Sequence, residues 1–412
     1  MDEVRTKALS KAENKAGNNP ENKPGNNPEN KAGEKPLTVI FAAGGTGGHI
    51  YPALAVATAL RQKRPSAQLL FCGTPEGMES RLVPQAGFDF YPLEARGFPH
   101  RPGRQFLLAY QAYRRGKRTA EELIRHWQPD AVVGTGGYVC GPLLAAAGKL
   151  KIPRLIHEQN AIPGRSNRLM SIGAEVVCTG YPNTERYFKR ARRVIWTGNP
   201  VRAVFYRLNR EEARRQLGLP QGQKLILATG GSLGARRINK GVIDMLRLHP
   251  ELAVNVILAA GDKLEQEART SAADLPGDRL QIHSYLSDLY LYMAAADLVI
   301  CRSGAGTCAE LGALGRASVL VPYPYAANDH QRFNAQAYSE RGAALYCPDE
   351  LCSGERLAEA ILPLLEEPER LHRMEERLKE ITAPPATAQI VEILCGLIDE
   401  AKKGGTGGNK TR

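Results

Sequence analysis

Residues 37 to 60, LTVIFAAGGTGGHIYPALAVATAL, constrain this chain more than any other stretch. The apolar run Leu37 to Ala43 breaks into Gly44-Gly45-Thr46-Gly47-Gly48-His49, and an Ala/Leu-rich segment without internal glycine begins at Pro52. That order predicts strand, glycine loop and helix, with Pro52 near the first helical position, where a missing N–H costs little. Glycines allow a tight turn and a close approach to the free N–H groups at the helix start, which suit an anion. The loop is not a dinucleotide fingerprint. With Gly45 and Gly47 as the first two glycines of G-x-G-x-x-G, Ile50 stands in the third place, and Gln68 to Cys72 runs into Gly73-Thr74 without the expected acidic residue. No G-x-x-x-x-G-K-[ST] occurs, which removes a P-loop. His49 is the unusual member of the loop, and such a histidine can be a base, a phosphate donor or a helix cap.

The 412 residues suffice for two domains with cores of their own. Eight cysteines are scattered without a C-x-x-C pair, which argues for free thiols rather than a disulfide framework or a zinc site. The N-terminus lacks the apolar core of a signal peptide. The uncharged stretch Ala131 to Gly148 holds five glycines and a proline and reads as strand, loop and helix, not as a membrane span. Residues 13 to 36 are an eight-residue repeat, ENKAGNNP, ENKPGNNP, ENKAGEKP, with no apolar side chain larger than Ala. Residues 1–36 are therefore expected to be a disordered low-complexity tail.

The formal charge is +12, and residues 96 to 125 carry eight basic and two acidic side chains, half of the excess. There Phe106, Leu107, Leu108, Tyr110 and Tyr113 mix with Arg101, Arg104, Arg114, Arg115, Lys117 and Arg118. Such a surface suits an anionic membrane or a lipid phosphate, and an ordinary core-facing helix with a basic outer face fits the spacing as well. A nucleic-acid role is disfavoured, because no recognised binding motif accompanies the charge.

Further strand–loop–helix units follow. Ala131 to Val133 runs into Gly134-Thr135-Gly136-Gly137-Tyr138, and Arg154-Leu155-Ile156 leads to His157-Glu158-Gln159-Asn160. Polar residues directly after a parallel strand lie where α/β proteins bind ligands, which makes His157 and Glu158 acid–base candidates. The exit from the first domain is expected at Val194 to Arg202. A second block opens with Leu225 to Thr229 and Gly230-Gly231-Ser232-Leu233-Gly234, in the same context as the first glycine loop. Two similar Rossmann-like domains facing each other are expected. In the second, Ser303-Gly304-Ala305-Gly306-Thr307 opens a helix with Glu310 about one turn in, an arrangement able to hold a diphosphate and a ribose diol. The strand Ser318 to Val321 ends in a polar tip, Pro322 to Asn334.

Taken in order, GGTGGHIYPALA, GTGGY, HEQN-x-x-PG, TGNPVR, GGSLGARRIN, CRSGAGTCAEL and HQRFNA make the chain resemble the MurG family over roughly residues 37 to 400. These are the UDP-N-acetylglucosamine transferases that complete the lipid-linked peptidoglycan disaccharide. The resemblance implies an α/β GT-B fold of two Rossmann-like domains, 37–198 for acceptor and membrane and 199–385 for the UDP-sugar, facing a central cleft. A helix at 386–403 would cross back to the first domain, with a disordered 404–412 tail. It implies inverting transfer of N-acetylglucosamine from UDP-N-acetylglucosamine to the muramic acid 4-hydroxyl of lipid I, giving lipid II, with no cofactor and no metal. Carried over by motif, Thr46, Gly47 and Gly48 line the diphosphate region and Asn160 contacts the donor sugar. Arg202 and Ser232 hold the nucleotide diphosphate, and Leu286 stands against uracil. Ala305, Gly306, Thr307, Cys308, Ala309 and Glu310 wrap the nucleotide, with Glu310 on the ribose, and Gln331 and Asn334 meet the sugar. Gly306 replaces a residue that is often bulkier, and His330 stands where some relatives carry a second glutamine. His49 is the first candidate for the base and Glu158 the second. Arg114, Arg115, Lys117 and Arg118 become the candidate membrane contacts. The implied location is peripheral, on the cytoplasmic face of the inner membrane, with an anionic membrane surface and other cell-wall synthesis proteins as partners. Competing classes are a UDP-N-acetylglucosamine 2-epimerase on the same architecture and a nucleotide-sugar sensor without turnover.

Overall fold

The computed structural model describes residues 36–99, 101–231, 233–382 and 385–406. The repeat up to residue 35, Ser232 and residues 407–412 lie outside them. Strands β1 (Thr38–Ala42), β2 (Gln68–Gly73), β3 (Asp89–Pro92), β4 (Ala131–Gly134), β5 (Arg154–Glu158), β6 (Val176–Thr179) and β7 (Arg193–Trp196) form one parallel sheet in the order β3-β2-β1-β4-β5-β6-β7. Strands β8 (Lys224–Thr229), β9 (Val254–Ala259), β10 (Leu280–His283), β11 (Leu298–Cys301), β12 (Ser318–Leu320) and β13 (Leu345–Tyr346) form a second parallel sheet, ordered β10-β9-β8-β11-β12-β13.

Side chains alternate across each strand, and helices cover both faces, so the strands read as unbroken apolar runs. In the first sheet, Val39, Phe41, Leu69 and Phe71 point to one core, while Ile40, Ala42, Leu70 and Cys72 point to the other. The chain order reverses between β1 and β4, and again between β8 and β11. Open α/β sheets form their crevice at such reversals, beyond the carboxyl ends of the strands. All four glycine-bearing loops noted in the sequence leave those strands. GGTGG follows β1 and GTGGY spans the end of β4, while GGSLG follows β8 and SGAGT follows β11.

Three expectations need correction. The first helix, Gly47–Lys63, starts five residues before Pro52. Thr46 is its extended N-cap, and the amides of His49 and Ile50 both reach the Thr46 carbonyl. Pro52 therefore forgoes one bond, to the carbonyl of Gly48 four residues back, near the helix start. His157 and Glu158 are not beyond their strand but form the end of β5, and both are buried. Gln331 and Asn334 are not on a loop tip but in the helix His330–Ser339.

The helix Ala386–Thr406 crosses to the first domain and extends past the expected end at 403. Ile390, Val391, Leu394, Leu397 and Ile398, spaced along one helical face, join the core of β1, β2 and the helix Gly47–Lys63. Lys63 pairs with Glu392 at its border. Burial of side chains of this size contributes about 1.5–3 kcal/mol each. Leu394→Ala, at a position with no exposure, is expected to lower stability by about 2–5 kcal/mol in urea unfolding. An unchanged midpoint would show that the crossing helix is not part of the first-domain core.

Candidate active site

The first-domain half of the cleft is built by close backbone approach. Gly44 donates its N–H to the Gly136 carbonyl at 3.3 Å. A Cβ on Gly137 would stand 2.3 Å from the Gly44 carbonyl oxygen, and one on Gly136 would stand 2.5 Å from His49 Nδ1. Both glycines have left-handed φ, +90° and +119°, so their conformation and the missing side chain are both required. The Glu79 carboxylate, fully buried, accepts hydrogen bonds from Gly45 N (3.2 Å), Thr74 N (2.9 Å) and Thr74 Oγ1 (2.7 Å). It holds the first glycine loop from below. Thr46 and Gly48 are left exposed at the helix N-terminus and Gly47 half-buried, with orphan N–H groups and the positive end of the helix dipole beside them.

His49 is half-buried at the same place. Thr135 Oγ1 donates to its carbonyl at 2.8 Å, and its Nδ1 lies 3.2 Å from Gln159 Oε1. Burial lowers its pKa from the usual imidazole value, against the pull of the Gln159 side chain and the Thr135 backbone, and keeps the ring neutral. Glu158 is placed differently. Its carboxylate accepts from Asn160 N (2.9 Å), Asn160 Nδ2 (3.2 Å), Gly164 N (3.2 Å) and Asn167 Nδ2 (2.9 Å), and it is 1% exposed. Burial raises its pKa while those donors oppose the rise. It shapes the loop that carries Asn160 and has no face toward the cleft. His157 is equally buried.

The second-domain half centres on the helix Ala305–Leu314, which packs against the helix Gly47–Lys63 across the cleft. Helical spacing divides the expected nucleotide-binding run. Ala305, Cys308 and Ala309 are buried in the core, and Gly306, Thr307 and Glu310 are more open. Cys308 thus faces Tyr181 and Tyr338 in that core rather than a ligand. Desolvation pushes Glu310 up to about 7, with the Arg202 charge working in the opposite direction. The exposed Arg202 guanidinium lies over the rings of Phe205 and Tyr290, 5.2 and 5.3 Å from their centroids. The Leu286 side chain is 6% exposed and packs into the core, so it offers no free apolar face to a base. Gln331 accepts from Tyr323 N at 2.9 Å through Oε1, which directs its NH2 group elsewhere. Asn334 is buried and bridges the domains. Its Oδ1 accepts from Ala161 N at 3.0 Å, and its Nδ2 donates to Asn160 Oδ1 and to the Ser303 carbonyl, each at 3.2 Å. Asn160 and Asn334, both expected near the sugar, are therefore brought together. Among the described residues no group of three His, Cys, Asp or Glu side chains converges to hold a metal ion.

The basic, apolar segment forms the helix Arg104–Trp127, and it packs by its small residues. Ala109, Ala112, Gly116 and Ala120 face inward, while Phe106, Leu107 and Tyr110 are exposed together with Phe98. Arg101, Arg104 and Arg114 are exposed around them. Farther along, Arg115 pairs with Glu94 (2.8 Å) and Arg118 with Glu122 (3.4 Å), and Lys117 lies near Glu121. The free apolar surface therefore sits nearer the start of the helix than the four basic residues singled out in the sequence.

Glu79, Thr135 and Gln159 were not recognised from sequence. The GTGGY glycines gave the one usable signal, since two adjacent glycines after a strand demand something packed against them.

Two doubly wound domains, with paired glycine loops at both sheet reversals and helices meeting across the cleft, define the GT-B architecture. Residues 39–179 match the glycosyltransferase family 28 N-terminal domain and residues 225–390 its C-terminal domain. The chain belongs to glycosyltransferase family 28 and, within it, to the MurG family. The UDP-N-acetylglucosamine--N-acetylmuramyl-(pentapeptide) pyrophosphoryl-undecaprenol N-acetylglucosamine transferase of Acetivibrio thermocellus is 38% identical over 87% of this chain and 97% of its own length. The protein of the same name from Desulforudis audaxviator is 41% identical over 87% and 98%. The crystal structure of Acinetobacter baumannii MurG superposes with a TM-score of 0.72 at 33% identity, covering 87% of this chain and 99% of that one. The UDP-GlcNAc 2-epimerase of Neisseria meningitidis, at 15% identity and a TM-score of 0.61 over 88% and 100%, shares the fold alone.

Gly136→Ala must displace the His49 ring, and it is expected to cut transferase turnover about 100-fold, as small misplacements of a reacting group do. Gly45→Ala introduces backbone strain (φ +85°) but meets nothing within 4 Å. Steady-state kinetics on both folded variants checks this, and equal losses would contradict the steric account.

Proposed function

We propose that the protein transfers N-acetylglucosamine from UDP-N-acetylglucosamine to the muramic acid 4-hydroxyl of undecaprenyl-pyrophosphoryl-MurNAc-pentapeptide, with inversion, yielding the β-linked disaccharide lipid of peptidoglycan synthesis. The observation that carries this reading is identity of 36–41% to the named transferases over nearly their whole length. In this reading His49 Nε2 takes the proton of the acceptor hydroxyl as that oxygen attacks the anomeric carbon, and UDP departs from the opposite face. The base is effective because it is neutral at working pH. The departing diphosphate is stabilised by the N-termini of the helices Gly47–Lys63 and Ala305–Leu314, by Arg202, and by Ser232, which lies outside the described residues. Glu310 accepts from the ribose diol, the Gln331 amide donates to the sugar, and Asn160 and Asn334 position it. Glu158 supports that loop in place of serving as a base.

UDP release from UDP-N-acetylglucosamine, with and without a short-chain lipid acceptor, tests the reading. Acceptor-dependent release is expected. N-acetylmannosamine formed without acceptor would make the protein an epimerase, and donor binding without turnover would make it a sensor. The same assay should show a pH signature. Glu310 binds its proton as pH falls through about 7, and the protonated acid is a poorer acceptor for the diol. The donor KM is therefore expected to rise below pH 7, and Glu310→Gln should flatten that rise. An unchanged KM from pH 8 to 6 in the parent protein would remove Glu310 from the ribose.

The enzyme's place is the cytoplasmic face of the inner membrane, held peripherally by the exposed Phe98, Phe106, Leu107 and Tyr110 with Arg101, Arg104 and Arg114 around them. Basic residues near an anionic surface contribute about 1 kcal/mol each. Neutralising Arg101, Arg104 and Arg114 together is expected to weaken binding to phosphatidylglycerol vesicles roughly 100-fold. Unchanged sedimentation with vesicles would return the helix to an ordinary solvated face.

A further inference from the structure

The two ring nitrogens of His49 are not equivalent, and buried groups behind the ring decide which carries the proton. Gln159 is 1% exposed just beyond β5. Its Nε2 lies 2.7 Å from the Thr135 carbonyl oxygen. A carbonyl only accepts, so this end of the amide is the NH2 group. The other end, Oε1, is then the atom 3.2 Å from His49 Nδ1. An amide oxygen also only accepts, so Nδ1 of His49 carries its hydrogen and Nε2 keeps its lone pair.

The arrangement continues inward. Gln159 Nε2 is 3.1 Å from His157 Nδ1, and His157 Nε2 is 3.0 Å from the Gly198 carbonyl. That carbonyl makes Nε2 the protonated nitrogen of His157 and leaves Nδ1 to accept from Gln159. Donation therefore runs one way, from His49 through Gln159 and His157 to Gly198. Gly198 turns its carbonyl inward with φ +79°, at the point where the chain leaves the first sheet. Burial pushes the His157 imidazole down to about 4, so it stays neutral and cannot reverse the amide. Asn199 Nδ2 also holds the Gln159 carbonyl at 3.0 Å. The other titratable groups packed around this corner are Glu79, tied to Gly45 and Thr74, and Cys140, whose thiol burial pushes up to about 12.

We propose that Gln159 is a positioning residue for the transfer. With His157 behind it, Gln159 locks His49 in the Nδ1–H form so that Nε2 faces the acceptor hydroxyl as the base, and the lock is anchored on the Gly198 carbonyl at the interdomain crossing. The inference rests on the reading of His49 as the base, and the experiment separates the two.

The full-length protein with 15N-labelled histidine is used, and His49 is assigned by difference from His49→Ala. Long-range 1H–15N correlation at neutral pH reads its tautomer without reference to activity. The expected result is a protonated Nδ1 and an unprotonated Nε2. Gln159→Leu is expected to give a mixture of tautomers and a kcat about 10- to 100-fold lower, with the donor KM within about twofold. Gln159→Glu keeps an acceptor for Nδ1–H and adds a negative charge. It should raise the His49 pKa and move the acid limb of kcat/KM to higher pH. A protonated Nε2 in the parent protein overturns the lock whatever the kinetics show, as does a Gln159→Leu protein with unchanged tautomer and kcat. Near-normal turnover in His49→Ala, with the expected tautomer still seen in the parent, overturns the base reading instead.

Discussion

Gly137 meets the backbone of Gly44 at a distance that admits no side chain, and the first-domain half of the cleft depends on that contact. It brings the loop after β4 onto the loop after β1, at the point where strand order reverses. With the two loops touching, the His49 ring lies against Gly136, its Nδ1 within hydrogen-bond reach of Gln159, while the Thr135 hydroxyl holds the His49 carbonyl. The buried Glu79 carboxylate holds the loop from the other side. Each of these groups has little freedom left, which is what preorganisation of a reacting group requires.

The second domain repeats the device with other chemistry. Its helix start at Ala305 is flanked by Gly304 and Gly306, which lack side chains, and helical spacing leaves Gly306, Thr307 and Glu310 on the more open side. The domains are joined through the Asn334–Asn160 bridge and through the crossing helix at the C-terminus. The last helix therefore belongs to the first domain's core although it follows the second in sequence. The two halves of the cleft are thus tied together at two separate places.

Much of this was legible in the residues. Apolar runs ending in glycine marked β1, β4, β8 and β11 with their loops, and all lie at the sheet reversals. What was illegible depended on contacts between segments far apart in the chain. Pro52 looked like a helix start, but the Thr46 carbonyl begins the helix earlier. Glu158 has the residue type and position of a base, yet four donors from its own loop enclose it. Gln159 has no readable role in the sequence, because that role depends on Thr135, His49 and His157 surrounding it. The run 305–310 reads as one motif, but a helix turns half of it into the core.

In the proposed reaction one neutral base at the first glycine loop acts on an acceptor hydroxyl, and UDP leaves from the opposite face. The anomeric configuration of the disaccharide product tests this most directly. With the α-linked donor and a lipid acceptor, proton NMR of the released disaccharide is expected to show only the β-linkage, the outcome of a single displacement. An α-linked product would contradict the account, because it requires a different mechanism from the one this cleft is built to support.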